Sequence, residues 1–147
     1  MMDSETLVAE GWTRLPTHAF SGVIGSSWIT GEPGNRIVGL LADPVALNEN
    51  IGIVHGGALM TFADIALGAG VADVIGSANC ATVQLQFQFA SAARADSFIT
   101  CHPEVVRKTS QLVFMRGLIE ADSRAVGAAD AIFKILEPEK MEKLRSG

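Results

Sequence analysis

The stretch that decides the fold is residues 56–89, which read GGALMTFADIALGAGVADVIGSANCATVQLQFQF. Residues 56–76 carry apolar side chains at most positions, and their spacing predicts one long helix. Because apolar groups lie almost all round that helix, it should be enclosed rather than lie on a surface. Its many alanine and glycine residues would let a sheet approach closely.

A strand should follow this helix at residues 82–89. Val83, Leu85, Phe87 and Phe89 alternate there with Gln84, Gln86 and Gln88. A period of two places the four apolar groups on one face of a sheet and the three amides on the other. The sequence therefore predicts a sheet with one buried face.

Weaker signals extend this pattern in both directions. A short helical segment at residues 4–11 and a charged tail from Pro138 flank a core of about residues 18–136. Further strands are predicted at residues 19–29, 36–41, 97–108, 110–120 and 125–136, with turns at 30–35 and 122–124. This order indicates an α+β fold, a mostly antiparallel sheet wrapped round one long central helix, in a single domain over residues 1–147. One sheet cannot enclose a helix that is apolar on all sides, so a second copy should complete the structure.

Composition excludes several classes of protein. Net charge is −5 with no long Lys/Arg run, which argues against nucleic-acid binding. Asp64 and Asp73 interrupt the longest apolar stretch, which argues against a membrane span. The N-terminus shows no secretory signal, and Cys80 and Cys101 lack zinc-ligand spacing, so free thiols and a cytoplasmic location are expected.

The start of the long helix has the features of an anion site. Gly56 and Gly57 follow His55 and leave backbone N–H groups unobstructed at the positive end of the helix dipole. Asp64 lies nine positions after His55, on roughly the same side and ~13 Å further along the axis. One subunit therefore cannot join the two features, whereas an antiparallel two-fold partner could place its own Asp64 near Gly56.

Asp64 is the candidate proton acceptor. A carboxylate in apolar surroundings accepts a proton readily unless it is hydrogen-bonded, which suits the activation of water for attack on a carbonyl. Thr82 offers a hydroxyl that could orient such a water or the carboxylate. Each feature also has a plainer interpretation: a helix cap for residues 55–57, a structurally paired acid for Asp64, and an ordinary strand position for Thr82.

In combination these residues resemble a known family. Gly52-x-x-His55-Gly56-Gly57 followed by Asp64, then residues 82–87 and 91–93, is similar to the hotdog-fold thioesterases of the phenylacetic-acid-pathway (PaaI-like) type. The resemblance covers about residues 18–136. It implies that the Gly56 N–H polarises the thioester carbonyl, that Asp64 is general base or nucleophile, that Thr82 helps hold the water, and that His55 positions the thioester.

The resemblance also suggests binding residues. Related sequences often carry Asn or Gln six residues before the histidine, where this chain has Glu49 between Asn48 and Asn50, so either asparagine is a candidate. Gly57 is a candidate beside the thioester. Arg94, Arg107 and Lys108 are candidates for the coenzyme phosphates, although each is more often a solvated surface charge.

The function that the resemblance implies is hydrolysis of an acyl-coenzyme A thioester by a homodimer or homotetramer. No metal or organic cofactor is expected, since coenzyme A is part of the substrate. Two alternatives stay open: a non-catalytic acyl-coenzyme A binding module, and a hydratase or dehydratase on the same fold, which would need a paired acid and histidine. The sequence does not choose between aryl and aliphatic acyl groups.

Overall fold

The computed structural model describes residues 2–147, and within that range it contains three α-helices, ten strands and two short 3₁₀ turns. The 3₁₀ turns are Ala19–Gly22 and Pro44–Ala46. The other elements are α1 (Ser4–Ala9), β1 (Thr13–Arg14), β2 (Gly25–Glu32), β3 (Asn35–Ala42), β4 (Leu47–Asn48), β5 (Ile53–Val54), α2 (Gly56–Ile75), β6 (Cys80–Phe89), β7 (Phe98–Cys101), β8 (Glu104–Lys108), β9 (Leu112–Ala121), β10 (Arg124–Ile135) and α3 (Pro138–Ser146).

One antiparallel sheet carries most of the strands. Its order is β1-β2-β3-β7-β9-β10-β6, with β8 pairing the first half of β9 beyond the end of β7. Strands β4 and β5 form a separate two-stranded ladder just before α2. The long helix contacts β3, β6, β8, β9 and β10. The predicted α+β class, an antiparallel sheet around one long helix, is therefore confirmed.

Helix α2 is buried on one face only. It begins after the N-cap His55 and ends at Gly76, whose φ of 78° is the left-handed conformation that commonly closes a helix. The buried face consists of Ala58, Leu59, Phe62, Ala63, Ala66, Leu67, Gly70 and Val71. The opposite face, which we call the outer stripe, includes Gly57, Thr61, Asp64 and Gly68 and stays partly exposed. One sheet therefore leaves part of the helix uncovered, and the enclosure of this face by a second copy stays a prediction.

By length and composition alone, α2 could also cross a membrane. The core helix of a globular domain meets the same criterion, and here the buried face of α2 packs on the sheet.

Strand β6 departs from strict alternation at Val83. Gln84 pairs with Ile132 and Thr82 pairs with Phe133, so Val83 is the extra residue of a β-bulge. Val83 is 56% exposed, whereas Leu85 and Phe87 pack against the core. The expectation that four apolar groups share one face is therefore wrong at Val83. The bulge turns Thr82 to the face of the buried Phe133, which is the face covered by the helix.

Two predicted strands are shorter than expected. Residues 19–22 form a 3₁₀ turn that begins at Ala19, with a φ of 53°, and the strand starts only at Gly25. The strand predicted at residues 97–108 is interrupted at 102–103, where Pro103 lacks the N–H that a ladder requires. The predicted N-terminal helical segment is confirmed as α1, which fixes itself to the body through the fully buried Leu7.

Candidate active site

Backbone hydrogen bonds fix the point where α2 begins. The N–H of Val54 donates to the carbonyl of Ala93 at 2.9 Å, and the N–H of His55 donates to the carbonyl of Ala46 at 2.8 Å. The residues just before the helix are therefore held between the 3₁₀ turn that ends at Ala46 and the connector after β6. This attachment gives the first amides of the helix a defined direction.

His55 caps the helix with its side chain. Its Nδ1 accepts a hydrogen bond of 2.8 Å from the N–H of Gly57, and its carbonyl accepts from Ala58 and Leu59. In a neutral ring this bond places the proton on Nε2. The Gly57 amide is consequently occupied, whereas the N–H of Gly56 has no acceptor among residues 2–147. Of the two glycines, Gly56 holds the free donor at the positive end of the helix.

The ring of Phe89 lies beside Gly56. A Cβ atom placed on Gly56 would lie 3.2 Å from the Phe89 ring, so only glycine allows this approach without displacement. Gly56 and Phe89 line one end of a surface groove of about 300 Å³ that continues along residues 90–93. We call it the Phe89 groove. A molecule in this groove would reach the free amide of Gly56.

Asp64 lies on the outer stripe of α2 and is held by Thr82. The Thr82 hydroxyl donates to Oδ1 of Asp64 at 2.5 Å, an interaction that depends on the Val83 bulge. The thiol of Cys80 lies nearby, and its pKa is raised by burial and by the negative charge of Asp64. The other carboxylate oxygen of Asp64 has no protein donor within residues 2–147.

The single chain does not bring Asp64 and Gly56 together. Eight residues separate them along α2, a rise of about 12 Å. Asp64 contacts Thr82 near the N-terminal end of β6, whereas Gly56 contacts Phe89 at the C-terminal end. The two chemical features therefore lie at opposite ends of one edge strand.

The other candidate binding residues are dispersed. Asn48 is committed to a turn, because its Oδ1 accepts from the N–H of Asn50 at 3.1 Å, and Glu49 and Asn50 are exposed. Arg94 pairs with Ile53 through a single β-bridge beside the start of α2. Its guanidinium lies 3.6 Å from Asp96 on the surface.

Arg107 and Lys108 lie on exposed β8, opposite Phe114 and Val113. Val113 pairs with Phe133, which in turn pairs with Thr82, so both cations lie at the Thr82 end of the sheet. Within one chain they are therefore remote from Gly56.

Sequence reasoning missed Arg124. Its Nη2 donates to the carbonyl of Ala92 at 2.8 Å, which places the Arg124 guanidinium beside the Phe89 groove. Its position in a turn gave no signal of this contact. For metals, no three His, Cys, Asp or Glu side chains converge on a possible site within the described part of the chain.

Comparison with known proteins identifies the superfamily. The family model described as Thioesterase superfamily matches residues 51–128, and no curated protein sequence matches significantly. Among solved structures, conserved protein PA5202 from Pseudomonas aeruginosa superposes with a TM-score of 0.71 at 20% identity, over 82% of this chain and 95% of that one.

Two further structures share the fold. A mutant of the phenylacetic acid degradation protein PaaI from Thermus thermophilus gives a TM-score of 0.64 at 16% identity, over 90% of this chain and 100% of that one. A hypothetical thioesterase from Streptococcus pneumoniae with coenzyme A gives 0.61 at 22% identity, over 74% and 84%. Since the family model also spans more than half of the sequence, this chain belongs to the thioesterase superfamily and has its hotdog fold.

Proposed function

We propose that this protein hydrolyses acyl-coenzyme A thioesters in a site shared by two copies of the chain. The observation that carries the proposal is the pairing of a free helix N-terminal amide, at Gly56, with an acid oriented by a hydroxyl, at Asp64. Acyl transfer needs both parts, a donor for the developing oxyanion and a group that activates the nucleophile. Superfamily membership and a relative solved with coenzyme A support this interpretation.

The chemistry follows from these two groups. Asp64 removes a proton from water as its oxygen attacks the thioester carbon, and the carbonyl oxygen gains a negative charge that the Gly56 N–H stabilises. The C–S bond then breaks and the sulfur leaves as a thiolate. Asp64 donates to this thiolate the proton that it took from water. Alternatively, Asp64 attacks the carbon itself and water hydrolyses the resulting anhydride. Thr82 orients the carboxylate in either route.

The shared site requires a dimer, which the edge strand β6 supports. Its outer edge has no strand partner within residues 2–147, so a second β6 can pair with it antiparallel. Two-fold symmetry keeps equivalent side chains on the same face of the sheet. The axis must therefore lie between the two copies of one residue near the middle of the strand, either Leu85 or Gln86. Either register brings Thr82 within about two residues of the second copy's Phe89.

That pairing would complete the site. Thr82 holds Asp64, and Phe89 lies on Gly56, so each Asp64 would approach the free amide of the other chain. The same pairing would set the two α2 helices side by side and cover the part of each outer stripe around Asp64 and Gly68. The separation of Asp64 and Gly56 within one chain is then what a site shared between two antiparallel chains requires.

Basic groups support a coenzyme arm along the Phe89 groove. The guanidinium of Arg124 contacts the carbonyl of Ala92, which lines this groove. The backbone of Arg94 bridges to Ile53, another lining residue, while its guanidinium lies beside Asp96. Phosphate groups are bound well by guanidinium because it offers several donors in one plane. We therefore propose Arg94 and Arg124 as phosphate ligands, with Arg107 and Lys108 available only from the second copy.

The alternatives receive less support from the geometry. A hydratase or dehydratase would need an acid and a histidine acting on one acyl chain, yet Nδ1 of His55 accepts a hydrogen bond from the N–H of Gly57 and is engaged as a helix cap. A binding module without activity would gain nothing from a carboxylate on the outer stripe that Thr82 holds in one orientation. Hydrolysis uses both arrangements.

The test is release of coenzyme A from aryl, short, medium and long acyl-coenzyme A esters. Wild type should hydrolyse at least one class, and Asp64→Asn should lower kcat by about 10²–10⁴, the usual contribution of a positioned base. Asp73→Asn is the matched control, since Asp73 lies on the same helix but pairs with Arg36 at 3.0 Å. Equal kcat for wild type and Asp64→Asn would refute the proposal.

A further inference from the structure

A second groove lies on the other side of the start of α2. It has a volume of about 290 Å³ and is lined by Phe20, Val23, Val45, His55, Gly57 and Thr61, among others. We call it the Phe20 groove. Phe20 is 71% exposed, Val45 is 66% exposed and Val23 is half-exposed. Three large apolar side chains therefore face solvent around one depression, although burial would favour each of them.

The walls of the Phe20 groove are held by the backbone. The N–H of Asp43 donates to the carbonyl of Ile24 at 2.8 Å, and the Asp43 carboxylate accepts from the N–H of Val45 at 2.9 Å. The bond from His55 to Ala46 joins these segments to the start of α2. The backbone that carries the exposed apolar groups is thus held in place before any ligand arrives, which lowers the entropy cost of binding.

The two grooves differ in chemistry and meet at one place. Among residues 2–147, no Lys, Arg, Asp or Glu lines the Phe20 groove, whereas the guanidinium of Arg124 contacts Ala92 in the wall of the Phe89 groove. The free amide of Gly56 lies between His55 and Gly57, which line the first groove, and Phe89, which lines the second. An acyl-coenzyme A has the same asymmetry, an apolar chain on one side of its carbonyl and a phosphorylated arm on the other.

We propose that the Phe20 groove binds the acyl chain of the thioester and that the coenzyme arm lies along the Phe89 groove. This assignment rests on the proposed function, and it fixes the direction in which substrate crosses the helix start. The groove volume is at the lower end of those that hold drug-sized ligands, so short and medium aliphatic chains are the substrate class that fits. Phe20, Val23 and Val45 are then the specificity-determining residues.

Chain-length dependence is the signature of such a groove. Each methylene that leaves water for an apolar surface contributes about 0.8 kcal/mol, which is about fourfold in affinity or kcat/KM. Removal of one apolar wall, or filling of the groove, should reduce the gain in affinity and in kcat/KM that each added methylene gives. The informative quantity is the ratio between a long and a short chain, because it is independent of changes that affect both equally.

The experiment measures binding of S-ethyl, S-butyl, S-hexyl and S-octyl coenzyme A thioethers, which cannot be hydrolysed, together with kcat/KM for acetyl to octanoyl esters. The variants are Phe20→Ala, which removes a wall, and Val45→Trp, which fills the space. Leu144→Ala is the matched control, since Leu144 is a similarly exposed apolar residue on α3. The octyl to ethyl affinity ratio should fall at least about tenfold in both variants and stay unchanged in the control.

The outcomes separate this inference from the proposed function. An unchanged ratio in both variants overturns the acyl groove, even if Asp64→Asn abolishes hydrolysis and so supports the enzyme. Chain-length-dependent binding that both variants weaken, in a protein that hydrolyses no ester, supports the groove and overturns hydrolysis. Failure of every thioether to bind overturns both.

Discussion

Thr82 donates a 2.5 Å hydrogen bond to Asp64 across the space between the edge strand and the central helix. Regular alternation would turn Thr82 to the amide face of β6, away from the helix. The bulge at Val83 reverses its direction. Bulges often re-aim a side chain in this way next to active sites. The hydrogen bond fixes one carboxylate oxygen, and the other has no donor within residues 2–147.

Thr82→Val should lower kcat for thioester hydrolysis about tenfold, because it removes the donor while keeping the shape of the side chain. A hydrogen bond to a charged group contributes about 1.5–3 kcal/mol, which sets the upper limit of the loss. Thr82→Ser retains the hydroxyl and should retain most of the activity. The measurement is kcat of wild type, Thr82→Val and Thr82→Ser by steady-state kinetics. An equal loss of kcat in both variants would mean that Thr82 contributes through packing and not through its hydroxyl.

Gly56→Pro should lower kcat about 10²–10³-fold, the range for loss of one oxyanion donor. Proline is well tolerated at the first helical position, and His55 has a ψ of 139°, which suits a residue before proline. Gly56→Ala is the control, since it adds the same Cβ beside the partly exposed Phe89 but keeps the N–H. If the two variants have the same kcat, the Gly56 amide is not the oxyanion donor.

Gln86→Lys should weaken the dimer. Either two-fold register places the two copies of Gln86 at or beside the axis, directly opposite at about 5 Å or diagonal at about 7–8 Å, and like charges at these distances repel. Gln111→Lys adds the same charge in the turn before β9, away from the edge strand. Sedimentation equilibrium should show dissociation only for Gln86→Lys, and a mixture of Gln86→Lys with Gln86→Glu chains should dimerise. A fully dimeric Gln86→Lys protein would contradict pairing through β6.

Stability should fall at high pH because of Cys101. Burial, followed by the charge of Glu120, raises the pKa of this thiol from 9.0 to about 12. Its contribution is complete below pH 9 and is lost as pH rises towards 12, because only the unfolded chain releases the proton there. The loss is about 1.4 kcal/mol per pH unit.

Urea unfolding of wild type and Cys101→Ala at about pH 8 and about pH 10.5 isolates this effect. Between these pH values the free energy of unfolding of wild type should fall by ~2 kcal/mol more than that of the variant. Cys80, whose pKa is also raised, is present in both proteins and cancels in the comparison. Identical pH slopes would show that the Cys101 thiol ionises equally easily in the folded chain.

The sequence was sufficient for the large elements. The apolar run at residues 56–76 predicted α2 to within a residue, and the alternation at residues 82–89 predicted most of β6. Both patterns are set by which side chains must leave water, and that requirement acts locally. The turn at residues 122–124 was equally visible, and the structure places Asp122 and Ser123 at positive φ there.

The sequence was insufficient where one residue of register decides the outcome. The Val83 bulge leaves no trace in the alternation, because Thr82 and Val83 both suit a strand. The occupation of the Gly57 amide depends on the rotamer of His55, and the contact of Arg124 with Ala92 joins residues 32 positions apart. These details arise from tertiary packing rather than from local preference.

The central claim, that Asp64 of one chain acts with Gly56 of the other, is tested most directly by mixed dimers. Asp64→Asn and Gly56→Pro chains carrying different tags are co-expressed, and the dimer with both tags is purified. A shared site predicts one intact site per mixed dimer, and therefore about half of wild-type kcat, although each parent dimer is inactive. Mixed dimers as inactive as both parents would contradict the account, because each site would then draw both groups from one chain.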